Sequence, residues 1–311
     1  MKKQPLIYKL NTIGGAVIIF LLIRTYVPPV LAKFGLNSNM TVWLGVYCLL
    51  SAAACLLPVA FIESMCDFHP YLFDKKFPKD GRYYVGAGML FFLAAMILNR
   101  LFMGILAKFG ISFKSVYMPP VGKGLQAVVY FVYAAVVPAV CEELFLRGTV
   151  LNLLRDYGHR FAVIVSAIVF TIMHCQGQNF VSIFISALIL GCIYVYTDCI
   201  YVSMALHFTN NTYSFLTLYA NENMNGVSAV SFSTFMICII IVLGAISAVY
   251  LKRNHKSAIQ VISHGGKSPK ISVIFKSPVF VLAMLGLLVI GVMWHFNVNG
   301  AILWGILITW V

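Results

Sequence analysis

Three short stretches hold side chains able to do acid–base chemistry: "EELFLR" at 142–147, "FTIMH" at 170–174 and "HFTNN" at 207–211. Together they offer Glu142, His174, His207 and Asn211. A carboxylate base, one or two imidazoles and a neutral hydrogen-bond donor are what a site needs to activate water and hold a developing oxyanion. On a helix, residues four apart share a face. Phe170 therefore lies with His174, His207 with Asn211, and Glu143 with Arg147 in the favourable acid-first order. Glu142 is turned about 100° from Glu143, so the two carboxylates have different tasks: Glu143 pairs with Arg147 and Glu142 points elsewhere. Taken singly, each feature is ordinary. Glu143 and Arg147 would make a helix-end ion pair, a histidine in a span an interhelical hydrogen bond, and Asn211 a polar contact between helices. The combination within about 70 residues of chain points to a site.

The elements that must position these groups are apolar helices. The chain of 311 residues is 61% hydrophobic and 10% charged, with a mean hydropathy of +0.92. Average globular chains are nearer ~45–50% apolar and ~25% charged. A bilayer span needs about 20 mostly apolar residues, and such runs occur near 11–32, 41–62, 84–106, 124–146, 161–176, 179–197, 200–220, 229–251 and 278–296, with a shorter one closing the chain. The expected fold is an all-α polytopic membrane protein, an eight-helix core with one or two further C-terminal spans. The alternating short strands of a β-barrel are absent from the pattern. Charged groups inside a span are costly and are functional candidates by default. Pro138 removes a donor from the ladder and should kink the fourth span beside its carboxylates.

The net charge of +13 encodes orientation rather than nucleic-acid binding. Three Lys or Arg fall in the N-terminal tail, four in 63–83, three in 147–160 and six in 252–276, against four on the opposite side. By the positive-inside rule the N-terminus is cytoplasmic. Anionic lipid, not DNA or RNA, is the partner that this basicity implies. The N-terminal lysines and first apolar run read as an uncleaved span. Eight scattered cysteines, with no CxxC spacing, read as packing residues. Short polar tails suit a bacterial cell membrane. The pattern divides into a transmembrane core over 1–251, a basic cytoplasmic linker over 252–277 with two Ser-Pro steps, and a C-terminal transmembrane appendage over 278–311.

The three stretches resemble the EExxxR, FxxxH and HxxxN motifs of the CPBP family of intramembrane proteases. That family includes the type II CAAX prenyl endopeptidases (Ras-converting enzymes) and bacterial Abi proteins linked to bacteriocin self-immunity. Every signature position matches: Glu142, Glu143 and Arg147; Phe170 and His174; His207 and Asn211. The resemblance covers about 120–220 and implies an intramembrane endopeptidase acting on a membrane-associated peptide or protein. Under it Glu142, assisted by His174, is the base; His207 and Asn211 hold the oxyanion; Glu143, Arg147 and Phe170 support them. Glu142, His174 and His207 also offer donors that Zn²⁺ accepts, so metalloprotease and metal-free glutamate-type courses both stay open. HExxH does not occur. Two other readings are a catalytically silent immunity or regulatory protein that binds a partner, and an ion-coupled transporter. A protease needs the four side chains around one pocket, whereas a transporter strings them along a path. One feature resists the simple span boundaries: Glu142 would end its span, yet His174 lies about 14 residues, or ~21 Å, into the next.

Overall fold

The computed structural model describes residues 4–69, 73–113, 119–254 and 269–296, with side chains to 291. Among these residues the chain is helical, with no strand. Its main helices are α1 (Leu6–Ala32), α2 (Met40–Cys66), α3 (Gly81–Lys108), α4 (Leu125–Tyr157), α5 (His159–Met173), α6 (Phe180–Thr197), α7 (Ile200–Asn223), α8 (Gly226–Asn254) and α9 (Pro278–Phe296). The helices α1, α2, α3, α4, α6 (taken with its preceding turn) and α8 are long and apolar enough to cross a membrane. The polytopic all-α expectation is met. α7 has the length but not the apolarity, because His207, Thr209, Asn210, Asn211, Thr212 and Ser214 interrupt it. α5 is shorter.

Local chemistry sets the ends. Asn39 caps α2, its side chain accepting from the backbone of Thr41 at 2.9 Å and Val42 at 3.2 Å. Gly158, at φ 108°, separates α4 from α5 in a conformation that a side chain disfavours. α9 lies against α1 where Gly14 lets the backbones meet: a Cβ there would sit 2.5 Å from the Phe280 nitrogen. Ser277 Oγ donates to Asn11 Oδ1 at the same junction.

The fourth span extends beyond 124–146. The helix continues to Tyr157, about 50 Å at ordinary rise, and so passes through the part of 147–160 expected as a loop. Arg147 is thus inside the protein, not at its surface. The start of α1, the segment after α2 and the end of α4 meet at one end of the bundle. Lys9 donates to the Leu153 carbonyl, Tyr157 to the Gln4 carbonyl and Tyr8 to the Met65 carbonyl. Asp198, in the α6–α7 turn, pairs with Lys75 and with Arg155 at 2.5 Å. Burial raises the Asp198 carboxyl's pKa, but hydrogen bonds from Lys75 and Arg155, with their charges, outweigh it and hold it below the usual carboxylate range. Most of the expected linker (255–268) and the last residues of the expected appendage (297–311) lie outside the described residues.

Candidate active site

Glu142 and Glu143 sit near the middle of α4, not at its end. The helix widens to π-helical turns over Val132–Val136 and Leu144–Leu151, on either side of the segment carrying both carboxylates. Pro138 is the local cause on the N-terminal side: it has no N–H to donate and crowds the preceding turn. Such bulges re-aim side chains and recur at functional sites. The kink expected from Pro138 is realised as this change of helical pitch.

Glu143 is the hub of a buried network. Its Oε1 accepts from Arg147 Nη1 at 2.8 Å and from His207 Nδ1 at 2.9 Å. Arg147 Nη2 donates to the Ala187 carbonyl of α6 at 3.1 Å. The Glu143 and Arg147 side chains are both 0% exposed, so the pair ties α4 to α6 and α7 in the protein interior instead of closing a helix end. Paired with a guanidinium, Glu143 is a carboxylate and can only accept. The Nδ1 proton of His207 is fixed accordingly, and its Nε2 faces the other carboxylate, 3.9 Å from Glu142 Oε2.

His174 is oriented by its own helix. Its Nδ1 lies 2.8 Å from the Phe170 carbonyl. A carbonyl only accepts, so Nδ1 carries the proton and Nε2 is left as the acceptor. His174 caps α5, and Cys175 follows at φ 49°, a left-handed conformation uncommon for a residue with a side chain. That turn ends α5 after 15 residues. α5 is therefore about 22 Å long, and the mismatch disappears: Glu142 and His174 line the same cavity.

Phe170 explains its own place in the pattern. Its ring centroid is 4.4 Å from that of His174 and 5.9 Å, edge-on, from that of His207, and the Arg147 guanidinium lies 4.9 Å from it. One phenyl ring thus spaces both imidazoles and covers the buried cation.

Glu142, Phe170, His174, His207 and Asn211 all line one cavity of about 660 Å³. That is within the ~300–1,000 Å³ range of ligand pockets. Glu143 and Arg147 lie behind this wall. Glu142 Oε2 is buried and, among the described residues, has no hydrogen-bond partner. Asn210 and Arg24 also line the cavity, and neither was singled out as a site candidate in the sequence. Asn210 donates towards Asn211 Oδ1 at 3.4 Å; its adjacency to Asn211 was the only available signal. Arg24 of α1 reaches the cavity from another wall; a charge within a first span was its signal. Leu287 and Ile290 of α9 also line the cavity, so the last described helix contributes to the site.

The donors Glu142, His174 and His207 are of types that zinc takes, but their placement does not make a cage. Among the described residues no three His, Cys, Asp or Glu side chains are grouped to hold a metal ion.

With this geometry in view, the comparison with known families is specific. The family model "Type II CAAX prenyl endopeptidase Rce1-like" matches residues 124–213. The segment is similar to that family over less than a third of the chain. It begins at the start of α4 and ends within α7, so it contains all seven signature residues and the helices that bring them together. The match agrees with the resemblance carried by the three motifs. No curated protein and no solved structure matches the chain.

Proposed function

We propose that this cavity hydrolyses a peptide bond in a membrane-associated peptide or protein. Glu142 is the base. It removes a proton from water as the oxygen attacks the scissile carbonyl carbon. His174, its Nδ1–H held by Phe170, accepts the water's second hydrogen bond at Nε2 and orients it. The carbonyl oxygen becomes an oxyanion, held by the Asn211 amide and by Nε2–H of doubly protonated His207. Glu143 stabilises that imidazolium through Nδ1, as the acid of a hydrolytic triad does for its histidine. Glu142 then returns its proton to the leaving nitrogen as the C–N bond breaks, giving a carboxylic acid and an amine. No step is routed through zinc, since the three side chains offered for it are not grouped as a ligand set.

The observation that carries this reading is the common cavity of Glu142, His174, His207 and Asn211. Groups that converge on one pocket suit hydrolysis better than an ion path. The Rce1-like segment favours the same activity class. The test is incubation of purified protein with a library of hydrophobic peptides, with products identified by mass spectrometry. New termini formed by the wild type and not by Glu142→Gln are expected. Equal cleavage by both proteins, or none by either, would overturn the proposal.

A further inference from the structure

The cavity carries more polar side chains than the hydrolytic chemistry uses. α6 is strongly apolar, yet its N-cap Asn179, Ser182 and Ser186 all line the cavity, with Ile183 and Leu190. Their spacing puts them on one helical face. α7 presents a matching stripe: His207, Asn210, Asn211 and Ser214 line the same cavity. The two helices pack together and run back on each other across the short Asp198–Cys199 turn. Ser186 stands as far before that turn as Asn211 stands after it. The start of the α6 stripe is fixed from α3. Buried Asn99 donates through Nδ2 to the Gln178 carbonyl at 2.9 Å and accepts at Oδ1 from the Ser182 backbone N–H at 3.3 Å.

A substrate segment that arrives as a helix has each carbonyl engaged by an N–H one turn on. Exposing one peptide bond to attack means unwinding the turn around it. The N–H and C=O groups so released have no water to bind at membrane depth, and irregular backbone is kept there only where protein or a cavity supplies partners. Amide and hydroxyl side chains donate and accept, so they suit either main-chain group whatever the substrate's side chains are. From Asn179 to Ser186, and from His207 to Ser214, each stripe rises about 10 Å, the reach of about three extended residues.

We propose that the polar stripes of α6 and α7 form a main-chain subsite of this cavity, which holds about three unwound residues of the peptide substrate by their backbone N–H and C=O groups and so presents the adjoining bond to Glu142. The proposal rests on the hydrolytic reading given above. It is tested with a fluorescent peptide selected from the cleaved library. Each amide within about three residues of the scissile bond is replaced in turn by an ester, which removes one N–H and keeps the side chains. A parallel series replaces those side chains with Ala. Binding is measured to full-length Glu142→Gln, and to Glu142→Gln that also carries Ser186→Ala or Asn210→Ala.

At least one ester should weaken binding about 3–10-fold, the worth of one neutral hydrogen bond. That ester should have no further effect once Ser186→Ala or Asn210→Ala has removed its partner. Ser186→Cys and Asn210→Leu stand in should either variant not fold. An ester scan that is flat within twofold overturns the proposal, whatever the variants do; if the Ala series then carries the losses, recognition is by side chains. Ester effects that persist at full size in both variants also overturn it, since a merely structural loss lowers binding of amide and ester peptides alike. Cleavage that is independent of Glu142 instead defeats the hydrolytic reading, so the two failures are distinguishable.

Discussion

Replacing Arg147 with Leu tests the network behind the cavity wall. In the wild type the guanidinium meets Glu143 at 2.8 Å with both side chains 0% exposed, donates to Ala187 and covers Phe170. Arg147→Leu leaves the Glu143 carboxylate buried without its cation. Breaking a buried pair from one side costs about 3–5 kcal/mol, and the lost cation–ring contact adds ~0.5–2 kcal/mol, so a destabilisation of about 3.5–7 kcal/mol is expected. Removing both charges behaves differently, because replacing a buried pair with apolar side chains of similar volume is often neutral or stabilising. Glu143→Leu/Arg147→Leu should therefore recover at least ~3 kcal/mol of the single variant's loss, this being the lower bound of the same penalty. The double variant should still be a poor enzyme, because His207 loses the carboxylate that holds Nδ1. The assay is unfolding by SDS titration in mixed micelles, paired with peptide cleavage. A cost under ~1 kcal/mol for Arg147→Leu, the value of a solvated pair, would refute the buried network. So would a double variant no more stable than the single one.

Further outcomes follow from other parts of the structure. Asp198 has its pKa depressed in the folded state by Lys75 and Arg155, so the stability it contributes is present above its unfolded value of about 3.9 and is lost as pH falls through the lower folded one. SDS midpoints should separate wild type from Asp198→Asn at pH 7, and converge towards pH 3; a constant difference across that range contradicts the assignment. Gly14→Leu places side-chain atoms where the Phe280 backbone lies, so α9 must shift, and Leu287 and Ile290 with it; a cross-link between cysteines introduced on α1 and α9 should form more slowly, and an unchanged rate counts against close approach. Exhaustive chelation with 1,10-phenanthroline should leave peptide cleavage intact, and loss of activity restored by one equivalent of zinc would show that the ligands regroup around a metal.

Much of the fold is legible in the sequence because hydrocarbon imposes a simple rule: each apolar run that falls on described residues becomes a helix, most within a few residues of their expected bounds. The misplaced boundary has a physical cause. Arg147 reads as a loop residue by its charge, yet Glu143, one turn earlier, and the Ala187 carbonyl of another helix allow it to be buried. The second partnership is not encoded in local spacing. The short α5 is likewise hidden, since it depends on the φ values of Gly158 and Cys175. At the cavity, which of these residues share a helix face was readable from four-residue spacings. The link between Glu143 and His207 was not, because it crosses 64 residues of chain and depends on how α4 packs against α7. Arg24 was visible only as a charge in a span; its place in the cavity follows from the packing of α1 beside α2 and α4.

The central claim is that Glu142 is the base of a peptide hydrolysis in this cavity. The most direct measurement is kcat/KM for one library-derived peptide with purified wild type and Glu142→Gln, the variant's fold being checked by its SDS midpoint. Glutamine keeps the size and hydrogen-bonding capacity of the side chain but cannot accept the proton. The account predicts a wild-type midpoint and a fall of at least about 10²–10⁴-fold, the range for loss of a general base. A correctly folded Glu142→Gln variant that cleaves within a few-fold of the wild-type rate would contradict it.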